Sequence, residues 1–127
     1  MTVLIADDDD DQLAVRGALL RRSGFGTLEA SDVPAALQIA ERENPSCALI
    51  DLCLPTEQDG LRLIREIRQR YPAMPVFVLT GWAINKNIPE LQGVDGIFVK
   101  GCAIREVISR LREGRKRSLP GSLEIQR

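Results

Sequence analysis

A run of five aspartates, Asp7 to Asp11, directly follows the first apolar segment of the sequence, Val3-Leu4-Ile5-Ala6, and a sixth, Asp51, closes another, Cys47-Ala48-Leu49-Ile50. Carboxylates gathered within several ångströms of one another repel, which raises their pKa values and couples their titrations. A divalent cation relieves that repulsion. Oxygen ligands without an imidazole or thiolate cluster favour a hard ion, best a partly hydrated Mg²⁺ held by one or two carboxylates. Two further polar residues end apolar runs: Thr80 after Pro75-Val76-Phe77-Val78-Leu79, and Lys100 after Ile97-Phe98-Val99. Each of these has an ordinary structural role when taken alone. Asp9, Asp10 and Asp11 suit a helix start in contact with its dipole, Asp51 a turn, Thr80 a β-branched strand end and Lys100 a solvated strand terminus. Four such residue types at four run ends make coincidence a poor account of the set.

The elements that must position these residues follow from hydrophobic spacing. Val3–Ala6, 26–29, Cys47–Asp51, 75–80 and 97–99 are predicted strands. A helix over 12–22 carries Leu13, Gly17 and Leu20 at helical intervals. Ser31-Asp32-Val33-Pro34 starts the next helix with a cap residue and an early proline; it buries Ala36, Leu37 and Ala40 and ends near Asn44-Pro45. Asp59-Gly60 opens a helix with Leu61, Ile64, Ile67 and Tyr71 near one face. The segment 82–92 is ambiguous, because Ile84, Ile88 and Leu91 fit a stripe that Pro89 would break. Ile104, Val107, Ile108 and Leu111 give a clean helical stripe, and periodicity ends at Gly114. The expected division is a domain over 1–113 and a tail or linker over 114–127. Five apolar strands, each followed by a helix-length segment, indicate a parallel sheet covered on both faces. Ligands of such sheets bind outside the carboxyl ends of the strands, where Asp7, Asp8, Asp51, Thr80 and Lys100 fall.

Composition narrows the chemistry. The chain has 127 residues, 44% hydrophobic and 28% charged, the balance of one globular domain that needs no staple. It contains no histidine, which excludes histidine triads, histidine-ligated zinc or haem, and a phosphohistidine donor. Cys47, Cys53 and Cys102 are odd in number and lack CxxC spacing, against a disulfide framework or thiolate metal site. The net charge of −1 conceals a split: residues 1–60 hold 12 acidic against 4 basic side chains, residues 61–127 hold 6 against 13. The aspartates interrupt any signal-peptide core and no run approaches the roughly 20 apolar residues of a membrane span, so a cytoplasmic location is expected.

Over about residues 2–113 the chain resembles the receiver domain of two-component response regulators, in its chemotaxis-regulator-like form. The matching motifs are VLIADD (3–8), LIDLCLP with EQDGLRLIREIR (49–68), PVFVLTG (75–81) and IFVK (97–100), in this order and spacing. The resemblance implies a flavodoxin-like, doubly wound five-stranded parallel sheet of order 2-1-3-4-5 with helices on both faces. It also implies that Asp51 is the phosphoacceptor, taking a phosphoryl group from a phosphohistidine of a sensor histidine kinase or histidine phosphotransfer protein. Asp7 and Asp8 would be the acidic pair that holds Mg²⁺, Asp8 more directly, with Asp51 and the backbone carbonyl of Cys53 as further metal oxygens. Thr80 would hydrogen-bond the phosphoryl group and Lys100 would pair with its charge. The implied role is regulatory rather than enzymatic, switching the binding of a downstream target.

The sequence departs from the family pattern at four places. Gly101 follows Lys100 where proline is usual, often with a cis bond. Ile97 stands where an aromatic is usual, with Phe98 facing the other way by strand alternation. The interval from Thr80 to Lys100 is short and contains Pro89, and Pro55 to Gly60 has one residue more than the commonest pattern. Trp82 reads either as cover over the site that slows loss of the phosphoryl group to water or as a surface aromatic. Cys53, beside acids, is expected to be an inert thiol.

Three other functions are weighed. An aspartate-nucleophile phosphatase of the haloacid-dehalogenase type shares Asp, Thr and Lys at strand ends with Mg²⁺, and Asp7-Asp8-Asp9 contains its DxD pattern. It lacks here a later acidic pair and room for a cap domain. A receiver-like scaffold that is never phosphorylated is motivated by the Lys100-Gly101 loop and Ile97. Nucleic-acid binding through Arg105, Arg110, Arg112, Arg115, Lys116 and Arg117 has no motif behind it, and these cations suit a helix C-terminus. No effector domain is expected after residue 113, which leaves a stand-alone receiver or one cut from a longer regulator or hybrid kinase. A homodimer through the last helix stays open.

Overall fold

The computed structural model describes residues 1–81, 88–102 and 104–117. The elements run β1 (Thr2–Ala6), α1 (Asp10–Arg22), β2 (Gly26–Ala30), α2 (Val33–Glu43), β3 (Cys47–Asp51), α3 (Glu57–Arg70), β4 (Val76–Thr80), a 3-10 turn (Pro89–Leu91), β5 (Gly96–Val99) and α4 (Ile104–Arg117). All four strand pairings are parallel and the sheet order is β2-β1-β3-β4-β5, the expected doubly wound fold.

Strand alternation sorts the apolar runs between two cores. Leu4, Ala48, Ile50, Val76 and Val78 face α2 and α3, where they pack with Ala36, Ala40, Leu63, Ile64 and Ile67. Val3, Ile5, Leu49, Phe77 and Leu79 face α1 and α4, where they pack with Leu13, Leu20, Val107, Ile108 and Leu111. Both faces of β1, β3 and β4 are therefore dry, and unbroken hydrophobic runs are the sequence form such strands take. Each fully buried Leu or Ile contributes about 1.5–3 kcal/mol of transfer free energy.

Polar residues set the helix ends. Asp9 caps α1 by accepting from the Asp11 amide at 3.0 Å and the Gln12 amide at 3.2 Å. Asp32 caps α2 by accepting from the Ala35 amide at 2.8 Å, and Asn44 closes that helix with a left-handed φ of 48°. The third helix starts earlier than Asp59, because Thr56 caps it: Thr56 Oγ1 accepts from the Asp59 amide and donates to Asp59 Oδ2. Pro89 opens a 3-10 turn in which Leu91 is buried, while Ile84 of the same segment lies outside the described residues. The last helix continues past Gly114 to Arg117 and so takes in the first four residues of the expected tail. Arg and Lys are good helix formers and are favourable at a helix C-terminus, so the helix persists where its apolar stripe has ended. Leu37 is half-buried where full burial was expected. Trp82 and the remaining tail, 118–127, lie outside the described residues. Among the described residues no helix is long and apolar enough to cross a membrane.

Candidate functional site

The site is built at the carboxyl edge of β1, β3, β4 and β5. The Asp7 amide donates to the Ala30 carbonyl at 3.1 Å, which carries the β1–β2 ladder one residue past the strand and fixes where the Asp7 side chain starts. Asp51 ends β3 beside Leu79 of β4, and the Leu52 amide donates to the Leu79 carbonyl at 2.8 Å. Thr80 ends β4 beside Val99, and the Lys100 amide donates to the Thr80 carbonyl at 2.7 Å. Sheet hydrogen bonding thus fixes the backbone of Asp7, Asp51, Thr80 and Lys100, with little left to loop conformation.

The structure brings the side chains of Asp7, Asp8, Asp51 and Lys100 together. Asp7, Asp51 and Thr80 are 0%, 2% and 3% exposed, the buried polar residues among those described. One carboxylate oxygen from each of Asp7, Asp8 and Asp51 lies within 4.8 Å of the others, with Asp8 on the exposed side. Asp51 Oδ2 accepts from the Lys100 ammonium at 2.7 Å, and Asp51 Oδ1 accepts from the Cys53 amide at 3.2 Å. This last contact turns the loop after β3 back over the carboxylate and sets Cys53 at the rim.

The loop is clamped from α3. A Cβ built on Gly60 would lie 1.8 Å from the Leu52 carbonyl oxygen, so only glycine lets the first turn of α3 pack against the residue after Asp51. Leu52 and Leu54 are buried beneath it. Among the described residues the cis peptide is Leu54–Pro55, not Lys100–Gly101. Gly101 instead adopts φ +99°, and the Cys102 amide donates to the Val99 carbonyl at 3.1 Å, a tight turn just past the lysine.

The two buried carboxyls are held in opposite protonation tendencies. Burial pushes the Asp51 carboxyl up; Lys100 pulls it back, but the Asp7 charge adds to the rise, and the result is a pKa above the usual aspartate range. Burial acts on Asp7 too, yet the Asp9 amide and the Arg16 guanidinium outweigh it and hold Asp7 below that range. Burial raises the Cys53 thiol, helped by the negative charges of Asp51 and Glu57, in line with an inert thiol. Cys47, wholly buried at the start of β3, is pushed up to about 12 by burial.

Arg16 is the site residue that sequence reading missed. It reaches from α1 to Asp7 Oδ2 as a part-buried ion pair. Its signal was a basic residue beside the apolar stripe of Leu13, Gly17 and Leu20, on the helix that follows the acidic run.

The donor set is all carboxylate, with no histidine in the chain, which fits a hard divalent cation. The Lys100 ammonium gives the same pocket a positive charge for an anion on Asp51, and Thr80 is buried at the end of the neighbouring strand β4.

The family model of the response regulator receiver domain matches residues 3–112. The chain is 32% identical over 114 residues to the probable transcriptional regulatory protein TcrX of Mycobacterium tuberculosis, covering 88% of this chain and 48% of that protein. It is 30% identical over 118 residues to the alkaline phosphatase synthesis transcriptional regulatory protein PhoP of Bacillus subtilis, covering 91% and 49%. The chain thus spans about half the length of these curated relatives. Among solved structures, it is similar to a CheY-like response regulator receiver domain protein from Methanospirillum hungatei, with TM-score 0.84 and 25% identity over 92% of this chain and 94% of that one. The receiver domain of the Francisella response regulator 1452 superposes with TM-score 0.82 and 29% identity, covering 93% and 98%.

Proposed function

The chain belongs to the response regulator receiver domain family of two-component signalling, and from that premise we propose that Asp51 is its phosphoacceptor, served by Asp7, Asp8, Thr80 and Lys100. The observation that carries the assignment is the buried Asp51 carboxylate, paired at 2.7 Å with Lys100 and clustered with Asp7 and Asp8 at the carboxyl edge of the sheet.

Phosphoryl transfer asks a protein for an in-line nucleophile and for charge stabilisation at the equatorial oxygens. An Asp51 oxygen forms the new P–O bond as the P–N bond to the donor imidazole breaks, and the imidazole keeps that electron pair. Asp8, Asp51 and the Cys53 carbonyl would hold Mg²⁺, with Asp7 beside them; when bound, the ion supplies positive charge against the phosphoryl oxygens. Lys100 exchanges its carboxylate partner for a phosphoryl oxygen, and the Thr80 hydroxyl donates to another. The acyl phosphate product carries about −1.5 to −2 of charge in place of the single charge of the carboxylate. The new bonds that Thr80 and Lys100 make to the phosphoryl group bias a two-state output element. A full shift from 1:99 to 99:1 needs about 5.5 kcal/mol of differential stabilisation.

The phosphoryl source on this reading is a sensor histidine kinase or a histidine phosphotransfer protein, because the chain has no histidine with which to serve as its own relay donor. The names of the curated relatives support a regulatory output, and a cytoplasmic location suits such partners.

The test is incubation with Mg²⁺ and acetyl phosphate followed by intact mass. The expected result is one phosphate adduct, absent without metal and in Asp51→Asn. Labelling of Asp51→Asn to the wild-type extent overturns the assignment. Steady turnover of phosphate monoesters by the pure protein would instead favour a phosphatase.

A further inference from the structure

Asp7 is wholly buried, and both of its carboxylate oxygens are engaged from within the chain. Oδ1 accepts from the Asp9 amide at 3.0 Å, and Oδ2 accepts from the Arg16 guanidinium. Arg16 arrives from α1 with a side chain only 12% exposed, and its other terminal nitrogen lies 3.4 Å from Gln12 Oε1. The chain therefore spends a mostly buried, permanently charged side chain on one member of the acidic cluster.

We propose that Arg16 is a built-in counter-ion of the metal pocket, a positioning residue that fixes Asp7 and competes electrostatically with Mg²⁺ for the acidic cluster. The inference rests on the Mg²⁺-binding reading given above and adds what sets the affinity.

Three considerations lead to it. A buried carboxylate without a partner is costly, so a metal-free pocket that stays folded needs a cation of its own at Asp7. Arginine supplies one that does not titrate away at physiological pH, and its planar fork orients the carboxylate it binds. The same guanidinium sits one carboxylate away from oxygens of Asp8 and Asp51 that lie within 4.8 Å of Asp7. A unit positive charge that near a divalent cation weakens its binding by about tenfold even at a water-like dielectric. Lys100 already pairs with Asp51, so two of the three clustered carboxylates carry an internal cation before any metal arrives.

A purely structural Arg16 makes the opposite prediction. Loss of the guanidinium would loosen Asp7 and leave Mg²⁺ affinity unchanged or weaker. A competing counter-ion makes affinity rise when its charge is removed.

The test is a calorimetric titration of MgCl₂ into the full chain, stripped of metal and held at fixed ionic strength, for wild type, Arg16→Gln and Arg16→Lys. Melting temperatures are recorded beside it in chelator and in saturating Mg²⁺. Arg16→Gln is expected to bind Mg²⁺ about tenfold more tightly than wild type, and Arg16→Lys, which keeps the charge, within about threefold of it. In chelator Arg16→Gln melts lower than wild type, and Mg²⁺ raises its melting temperature by a larger increment. Equal or weaker Mg²⁺ binding by folded Arg16→Gln overturns the proposal, as does the same shift in both variants. An Arg16→Gln protein that stays unfolded in saturating Mg²⁺ overturns it too, because the metal should replace the missing charge. If wild type takes up no Mg²⁺, the pocket reading has failed separately; uptake by Arg16→Gln alone then supports the counter-ion, and its absence there overturns it.

Discussion

Lys100 and Asp51, 49 positions apart in the chain, meet in an ion pair of 2.7 Å in which the aspartate side chain is buried and the lysine side chain is 34% exposed. The asymmetry matters. A lysine with access to water can change partners without a large reorganisation, whereas the carboxylate is held in place by the sheet and by the Cys53 amide.

Lys100→Ala is therefore expected to slow phosphorylation by acetyl phosphate by about a hundredfold, the low end of what a transition-state charge donor contributes. Mg²⁺ binding should remain, because the clustered carboxylates are untouched. Thr80→Ala should behave alike, retaining metal while impairing phosphorylation or the response to it. Intact-mass time courses paired with Mg²⁺ titrations separate the two steps. Loss of Mg²⁺ binding in Lys100→Ala would place the lysine in the metal site instead.

The metal-free pocket stores repulsion, and its pH dependence has a definite sign. Burial and the Asp7 charge set the folded Asp51 pKa above its ordinary aspartate value. A carboxyl raised on folding contributes stability in acid, and that contribution is lost as pH rises from the ordinary value through the raised one. Asp7 is lowered, so its contribution is present above the ordinary value and is lost only as pH falls through the lowered one. Asp51→Asn removes the first loss. In chelator it should exceed wild type by about 1 kcal/mol at pH 7, a usual size for relief of a functional charge cluster. The difference should close as pH falls toward 4. Urea midpoints between pH 4 and 7 measure it, and a less stable Asp51→Asn at pH 7 would contradict it.

What was legible in the sequence was whatever the sheet itself positions. Asp51, Thr80 and Lys100 each end an apolar run abruptly, and a parallel sheet carries such ends to one edge regardless of loop detail. Alternation also held where one face is wet: Ile97 and Val99 are 42% and 45% exposed, while Phe98 is 8% exposed and stacks on Phe77 at 6.4 Å between ring centroids. Features that depend on one side chain reaching another were not legible. Arg16 looks like any surface helix arginine until α1 is docked beside Asp7. Thr56 caps α3 and its hydroxyl donates to Asp59, but the loop after Asp51 hid where the helix begins. Leu63 lies in the core while Leu61 is only partly buried, a rotation of the α3 face that spacing alone left undetermined. The last turn of α4 has no apolar residue to announce it.

Gly60 is a packing requirement with a functional consequence. Its absent Cβ leaves room for the Leu52 carbonyl oxygen, which a methyl group would meet at 1.8 Å. Backbone cannot yield as a side-chain tip does, so Gly60→Ala must displace α3 or the loop that follows Asp51. The expected cost is about 3 kcal/mol, the upper part of the range for overpacking. Because the displaced loop carries the Cys53 amide that orients Asp51, the surviving folded protein should also phosphorylate more slowly. A denaturant titration and an adduct time course test the two effects together, and a substitution costing under about 0.5 kcal/mol would mean the helix has room that the geometry denies.

The turn after Lys100 yields a prediction opposite to the one that family resemblance suggests. Proline is the usual residue after the lysine, so Gly101→Pro looks like a return to pattern. Gly101 sits at φ +99°, however, and proline is locked near −65°. Among the described residues, none beyond its two chain neighbours comes within 4 Å of a Cβ built there, so backbone conformation is the obstacle. Gly101→Ala should therefore cost about 1–2 kcal/mol, and Gly101→Pro more. Proline would also have to move the chain between Val99, whose carbonyl accepts from the Cys102 amide, and Lys100, whose ammonium pairs with Asp51. Phosphorylation of Gly101→Pro should fall together with its stability, whereas Gly101→Ala should lose stability but keep most of its rate. Chemical denaturation and acetyl phosphate labelling of both variants decide the matter. A proline variant as stable and as readily labelled as wild type would show that this turn exchanges freely with the usual receiver conformation.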